Sequence, residues 1–180
     1  MALPGFDGLT SLPVLGRLDL VALPVADVLT SWSRTTDVAV VEIDPDLADT
    51  AALTAAYSLP LEASANCVLV AGSRGGEERI AACVVAADTR ADVNTVVRRL
   101  LDVRKASFLP MDRAVEESGM EYGGITPIGL PGTWRLLVDA AVATVPAAMI
   151  GSGLRRSKLI LPGDALAELP GAEVVEGLGR

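Results

Sequence analysis

The sequence predicts an α+β domain on a mostly antiparallel or mixed sheet, and three observations predict it. Apolar residues recur at helical spacing in some segments and form short β-branched runs in others. The two kinds of segment mix without a regular strand–helix–strand–helix order. Glycine and proline punctuate the chain from end to end, so its elements are short.

Composition supports one packed domain. The chain has 180 residues, 51% of them hydrophobic, and a mean hydropathy of +0.44. Aromatics are only 3%, so Val, Leu, Ile and Ala must build the core. A net charge of −8 argues against general attraction to nucleic acid, which needs clustered Lys and Arg, but is compatible with a local basic patch. Histidine is absent, which removes the commonest general base and the commonest metal ligand. Cys67 and Cys83 cannot make a four-ligand zinc site, and the acidic residues show no metal-binding spacing; neither metal nor cofactor is expected. The start, Met1-Ala-Leu-Pro-Gly5, lacks a basic leader, and no run of 18 apolar residues occurs, so the expectation is a cytoplasmic protein with no membrane partner.

Residues 1–19, rich in Gly and Pro, read as an apolar N-terminal arm, and residues 20–180 as the domain. Val25, Val28, Leu29 and Trp32 mark a helix with Pro24 in its first turn. Val38 to Ile43 is a β-branched strand. Asp46 is the expected cap of a helix from Leu47 to about Tyr57, stopped by Pro60. Cys67–Ala71 and Glu78–Ala87 form a hairpin across Gly72–Glu77, which sets Cys67 and Cys83 opposite or one residue out of register. Thr89-Arg-Ala-Asp92 reads as a capping box for a helix through Leu101. Val103–Leu109 reads as a strand carrying Lys105, and Pro110 to Gly119 as a helix closed by glycine. Strands follow at Trp134–Val138, Ala147–Ile150, Lys158–Leu161 and Ala172–Val175. Ala140–Pro146 is a connector, and Pro162–Asp164 caps a short helix.

The segment Glu121–Pro131 is neither helix nor central strand. Gly123, Gly124 and Gly129 alternate with Pro127 and Pro131, and Pro127 pushes Thr126 out of the helical region. A connecting turn is one reading; a ligand loop with free backbone amides is the other. The loop Gly151-Ser-Gly153 lacks the dinucleotide spacing. If the two glycine loops are neighbours, their N–H groups, with Arg155 and Arg156, would suit a phosphate or a carbonyl oxygen.

Gly123-Gly-Ile-Thr-Pro-Ile-Gly129 resembles the Gly-Gly-[Ile/Val]-[Ser/Thr]-Pro-x-Gly loop of the YbaK/ProX (EbsC) family, the aminoacyl-tRNA editing domain also found inserted in prolyl-tRNA synthetases. Asn66–Ala71, Ala81–Val85, Asp92–Leu101, Val103–Ala106, Leu137–Asp139 and Ile150–Arg156 match further family segments in order. The resemblance covers roughly residues 25–176. It implies a mixed, barrel-like sheet with surrounding helices and a small pocket, and metal-free hydrolysis in trans of the ester joining a small wrong amino acid to the tRNA 3′ end, with a ribose hydroxyl helping to activate water. The implied partners are that tRNA end and an aminoacyl-tRNA synthetase; the oligomeric state is left open. It also implies the site residues. Asn66, Gly123, Gly124, Thr126 and Pro127 take the catalytic positions, and Ile125, Gly129, Asp139, Ser152, Gly153, Arg155 and Arg156 the substrate-binding ones.

One position departs from the family. Asn66 stands where relatives have a strand lysine, and Asn cannot act as a cation. Two readings follow: hydrolysis survives, with Arg79 or Lys105 supplying charge, or the chain is a catalytically weakened module that binds a tRNA end or aminoacyl-nucleotide. A third reading is an interaction protein assembled through its N-terminal arm.

Overall fold

The computed structural model describes Phe6 and residues 9–180. Its elements are β1 (Ser11–Pro13), α1 (Leu23–Leu29), β2 (Ala39–Glu42), α2 (Thr50–Tyr57), β3 (Ala65–Arg74), β4 (Glu77–Ala86), α3 (Arg98–Leu101), β5 (Ala106–Phe108), α4 (Met111–Ser118), β6 (Arg135–Asp139), α5 (Ala140–Ala143), β7 (Ala148–Gly151), β8 (Ser157–Leu161), α6 (Gly163–Ala167) and β9 (Ala172–Val175). The α+β class holds, with two sheets. One runs β1-β2-β8-β7 and is antiparallel throughout. The other runs β5-β3-β4-β6-β9; its β4–β6 and β6–β9 pairs are parallel and the others antiparallel. The sheets do not close into the barrel that the resemblance implied. Between them runs one isolated bridge, Ser64 to Met149, among the described residues.

Strand composition follows from burial on both faces. In β4, Ile80, Ala82 and Val84 face the main core, while Ala81, Cys83 and Val85 face a second core under Val96, Val97 and Leu101. In β8, Leu159 and Leu161 point to the main core and Ile160 to a third core beneath α2. Strands covered on both sides therefore read as continuous apolar runs. Lys158 lies two residues before Ile160 and shares its face.

The hairpin turns through Gly75 and Gly76, with φ of 61° and 84°, a pair of values that glycine adopts freely and that matches strand twist. Its register pairs Cys67 with Val84 and Val68 with Cys83, one residue out, so both cysteines are free and face opposite sides.

Several boundaries move for physical reasons. Asp49, not Asp46, caps α2, its Oδ1 accepting from Ala51 and Ala52 N–H at 3.0 and 3.3 Å; Asp44 caps the preceding turn. Asp92, not Thr89, caps the segment after it by accepting from Thr95 N–H, and residues Val93–Val97 form a π-helical turn before α3. The Thr89 hydroxyl donates to the Ala86 carbonyl instead. Asp139 starts α5 inside the expected connector. Much of the N-terminal arm is part of the fold: β1 pairs with β2, and Val14 is buried. Residues 1–5, 7 and 8 of the arm lie outside the described residues.

Candidate functional site

A cavity of about 450 Å³ occupies the seam where the two sheets fail to close. The start of β3 forms one wall, Met149 to Gly151 of β7 another, and the first turn of α2 a third. Tyr122, Gly123 and Ile125 of the glycine loop complete it, and Lys158 of β8 reaches it from the side. Its size suits a small ligand with a few fixed polar groups.

Lys158 is its unusual member. The residue is only 6% exposed. Its Nζ donates to the Ala48 carbonyl at 2.7 Å and, more weakly, to the Gly123 carbonyl at 3.5 Å. No carboxylate among the described residues lies within 4.0 Å of it; all their ion pairs involve arginine. Burial pulls its pKa down from 10.5 to about 8; nearby Asp49 opposes that fall and Arg155 adds to it. Two more polar residues line the cavity. Ser64 is buried, and its Oγ has no hydrogen-bond partner. Asn66 accepts at Oδ1 from the Thr50 hydroxyl at 2.9 Å. Cys67 also lines the wall. Burial first, and Cys83 second, push its thiol up, and burial pushes Cys83 up to about 12. Neither is a ready nucleophile. Iodoacetamide at pH 7.5 is therefore expected to label the native chain at least about 100-fold more slowly than the urea-unfolded chain; equal rates would show an accessible thiolate.

The two glycine loops are neighbours, and several of their amides are spent on the protein. Gly124 N–H donates to the Glu121 carbonyl at 2.9 Å, Gly153 N–H to the Gly124 carbonyl at 2.7 Å, and Glu121 N–H to the Gly153 carbonyl at 2.8 Å. Arg155 N–H donates to Glu121 Oε2 at 2.6 Å. A Cβ added at Gly151 would stand 2.3 Å from the Gly124 carbonyl oxygen, and one at Gly124 would stand 2.7 Å from backbone atoms of Leu154. The loops thus shape the wall by backbone contact, and the Gly124 and Gly153 amides of the expected rim are engaged within the protein.

Of the residues expected at the site, Asn66, Gly123 and Ile125 line the cavity. Arg155 borders it, its guanidinium tying the Tyr122 carbonyl at 3.1 Å to the Pro45 carbonyl at 3.0 Å. Pro127 and Gly129 instead line a separate depression beside Trp134. Thr126 is wholly buried with no partner for its Oγ1. Ser152 is buried in a bond of 2.7 Å to the Ser157 hydroxyl. Asp139 caps α5 through Ala141 N–H at 2.8 Å and accepts from Gly179 N–H at 2.6 Å. Arg156 donates to the Asp19 carbonyl at 2.6 Å. Neither Arg79 nor Lys105 supplies charge here. Arg79 pairs with Gly72, six residues or about 20 Å along β3 from Asn66, and donates to the Leu101 carbonyl; the Lys105 carbonyl lies beside the same Gly72. The cation at the cavity is Lys158, and its signal in sequence was one lysine opening the apolar run Lys158–Leu161.

Among the described residues no group of three or more His, Cys, Asp or Glu side chains is placed to hold a metal, and no helix is long and apolar enough to cross a membrane. Residues 44–169 match the family model of the aminoacyl-tRNA editing domain. No curated protein matches the chain in sequence. Two solved structures are similar. The hypothetical protein APE2540 is 19% identical with a TM-score of 0.75, covering 87% of this chain and 99% of its own. A protein proposed as a trans-editing enzyme for prolyl tRNA synthetase is 18% identical with a TM-score of 0.72, covering 87% and 95%. At these identities the likeness is one of fold.

Proposed function

Because the chain belongs to the aminoacyl-tRNA editing domain family, we propose that it is a trans-acting, cytoplasmic deacylase that hydrolyses the ester of a small mischarged amino acid at the tRNA 3′ end. The observation that carries this reading is the seam cavity, lined by a buried lysine and an asparagine amide, with Ser64 in its wall. An ester needs little chemical activation. It needs a positioned water and a donor for the oxygen that gains charge, and binding in a confined space supplies the positioning. Small residues on the walls (Ala48, Ala65, Gly123 and Gly151) leave room for the ester and terminal ribose, while Leu53, Leu61 and Met149 close the space around a side chain. Size selection of this kind discards small amino acids that binding to a synthetase cannot reject.

The test is a panel of Ala-, Cys- and Ser-charged tRNAs. Release of amino acid well above the buffer rate is expected for at least one, and no turnover on any would overturn the proposal. The engagement of Asn66 with Thr50 favours a second reading, a module that binds the aminoacyl end without hydrolysis. Under it, a non-hydrolysable aminoacyl-adenosine analogue binds while every charged tRNA survives.

A further inference from the structure

Resting on the deacylase reading, we infer that Lys158 is the catalytic cation of the seam cavity, receiving the carbonyl oxygen of the scissile ester as that oxygen becomes an oxyanion. Several donors around the cavity are already engaged. The Asp49 carboxylate occupies N–H groups of the first turn of α2. The Gly124 amide is held within its own loop by the Glu121 carbonyl, and the amides of Gly153 and Arg155 are held by that same loop from across the junction. The Arg155 guanidinium is held by two backbone carbonyls. Lys158 differs from all of these. An ammonium carries three protons; one is well used at Ala48 and a second faces Gly123 at the limit of hydrogen bonding. A buried lysine with neither a carboxylate partner nor a full set of acceptors is costly, and such groups concentrate where charge develops during a reaction.

The step balances without a further reactant. Water attacks the carbonyl carbon, and the carbonyl π electrons move onto oxygen, beside the Lys158 ammonium. The oxyanion then collapses and the carbon–oxygen bond to the ribose breaks. The ribose oxygen takes the proton that the water gives up, and Lys158 keeps its own throughout. The products are the free amino acid and a tRNA with its terminal hydroxyl restored. The charged and titratable groups around Lys158 are Asp49 from the cap of α2, Arg155 from the loop before β8, and Cys67 and Tyr122 on the cavity walls.

The experiment compares wild type, Lys158→Gln and Lys158→Met on the charged-tRNA panel across pH, with the buffer rate subtracted and folding checked by circular dichroism. Both variants are expected to lose about 100- to 1000-fold in kcat, with KM changed far less. The wild-type enzymatic rate is expected to fall above about pH 8, as the ammonium loses its proton. Because the chain has only two lysines, Lys105 and Lys158, lysine labelled with ¹³C at Cε gives two resonances, and that of Lys158 should titrate with the rate. Variants within threefold of wild type, or a wild-type rate that climbs through pH 8 as for a general base, would overturn the assignment while leaving the deacylase reading intact. A wild type that turns over nothing overturns the deacylase reading itself, and the assignment with it.

Discussion

Alanine at Gly151 is expected to cost the chain about 3 kcal/mol of stability, near the upper end for overpacked interiors. The added methyl carbon would stand 2.3 Å from the Gly124 carbonyl oxygen and 2.7 Å from that of Ile125. Both obstacles are backbone, so no side-chain rotation relieves the clash. Gly151 cannot retreat either, because it pairs with Lys158 in the β7–β8 ladder. The loop at 121–126 must therefore move off β7, breaking the bonds that Gly153 and Glu121 make across the junction. Against a total stability of roughly 5–15 kcal/mol, this loss is large. Urea unfolding would measure it, with Gly132→Ala as control: its Cβ meets nothing within 4 Å and should change stability by under about 0.5 kcal/mol. An unchanged midpoint for Gly151→Ala would mean the two loops are not in contact.

Methionine at Lys158 should act in the opposite direction. The lysine titrates near 8 when folded and at 10.5 when free. Between those values the unfolded chain holds a proton that the folded chain lacks, so stability rises with pH through that window. Below about pH 8 both states are protonated and the whole penalty applies, about 3 kcal/mol for a depression of this size. Methionine removes it but leaves the Ala48 carbonyl without its donor, which returns about 1 kcal/mol. The net expectation at pH 7 is a gain of about 2 kcal/mol, or about 4–8 °C in Tm for a domain of this length. The gain should shrink toward pH 10, because wild type is relieved there and the variant has nothing to lose. A variant less stable than wild type at pH 7 would mean that the ammonium is better solvated than its burial indicates. The residue proposed to drive the reaction is thus one that weakens the fold.

The parts of this architecture legible in sequence are those with local causes. The β3–β4 hairpin was readable because Gly75 and Gly76 sit between two apolar runs, and α4 because Pro110 and Gly119 bracket it. In sequence Asp92 reads as the fourth residue of a box because two acceptors, Thr89 and Asp92, lie three apart, and only the path of the backbone decides which one caps. The site was less legible. Gly123 and Ile125 of the glycine loop line the cavity, yet the Gly124 amide is held by Glu121 and its carbonyl accepts from Gly153 of the twin loop, a contact that depends on the approach of β7. Lys158 does not stand out in sequence, because nothing in its neighbourhood identifies the α2 cap, from a distant part of the chain, as the surface that buries it. A charged residue in phase with Ile160 on an otherwise apolar strand was the available clue.

The position of β8 between β2 and β7 fixes when the site can exist. A nascent chain leaves the ribosome with β2, α2, β3 and the glycine loop already made. Until Ser157–Leu161 has also emerged, β2 has no partner on one edge and the cavity has no cation. The site is therefore complete only once this strand joins β2 to β7. A product ending before Ser157 would not be a weaker version of the protein. It would carry an open, strongly apolar sheet edge, a surface that invites pairing with other chains.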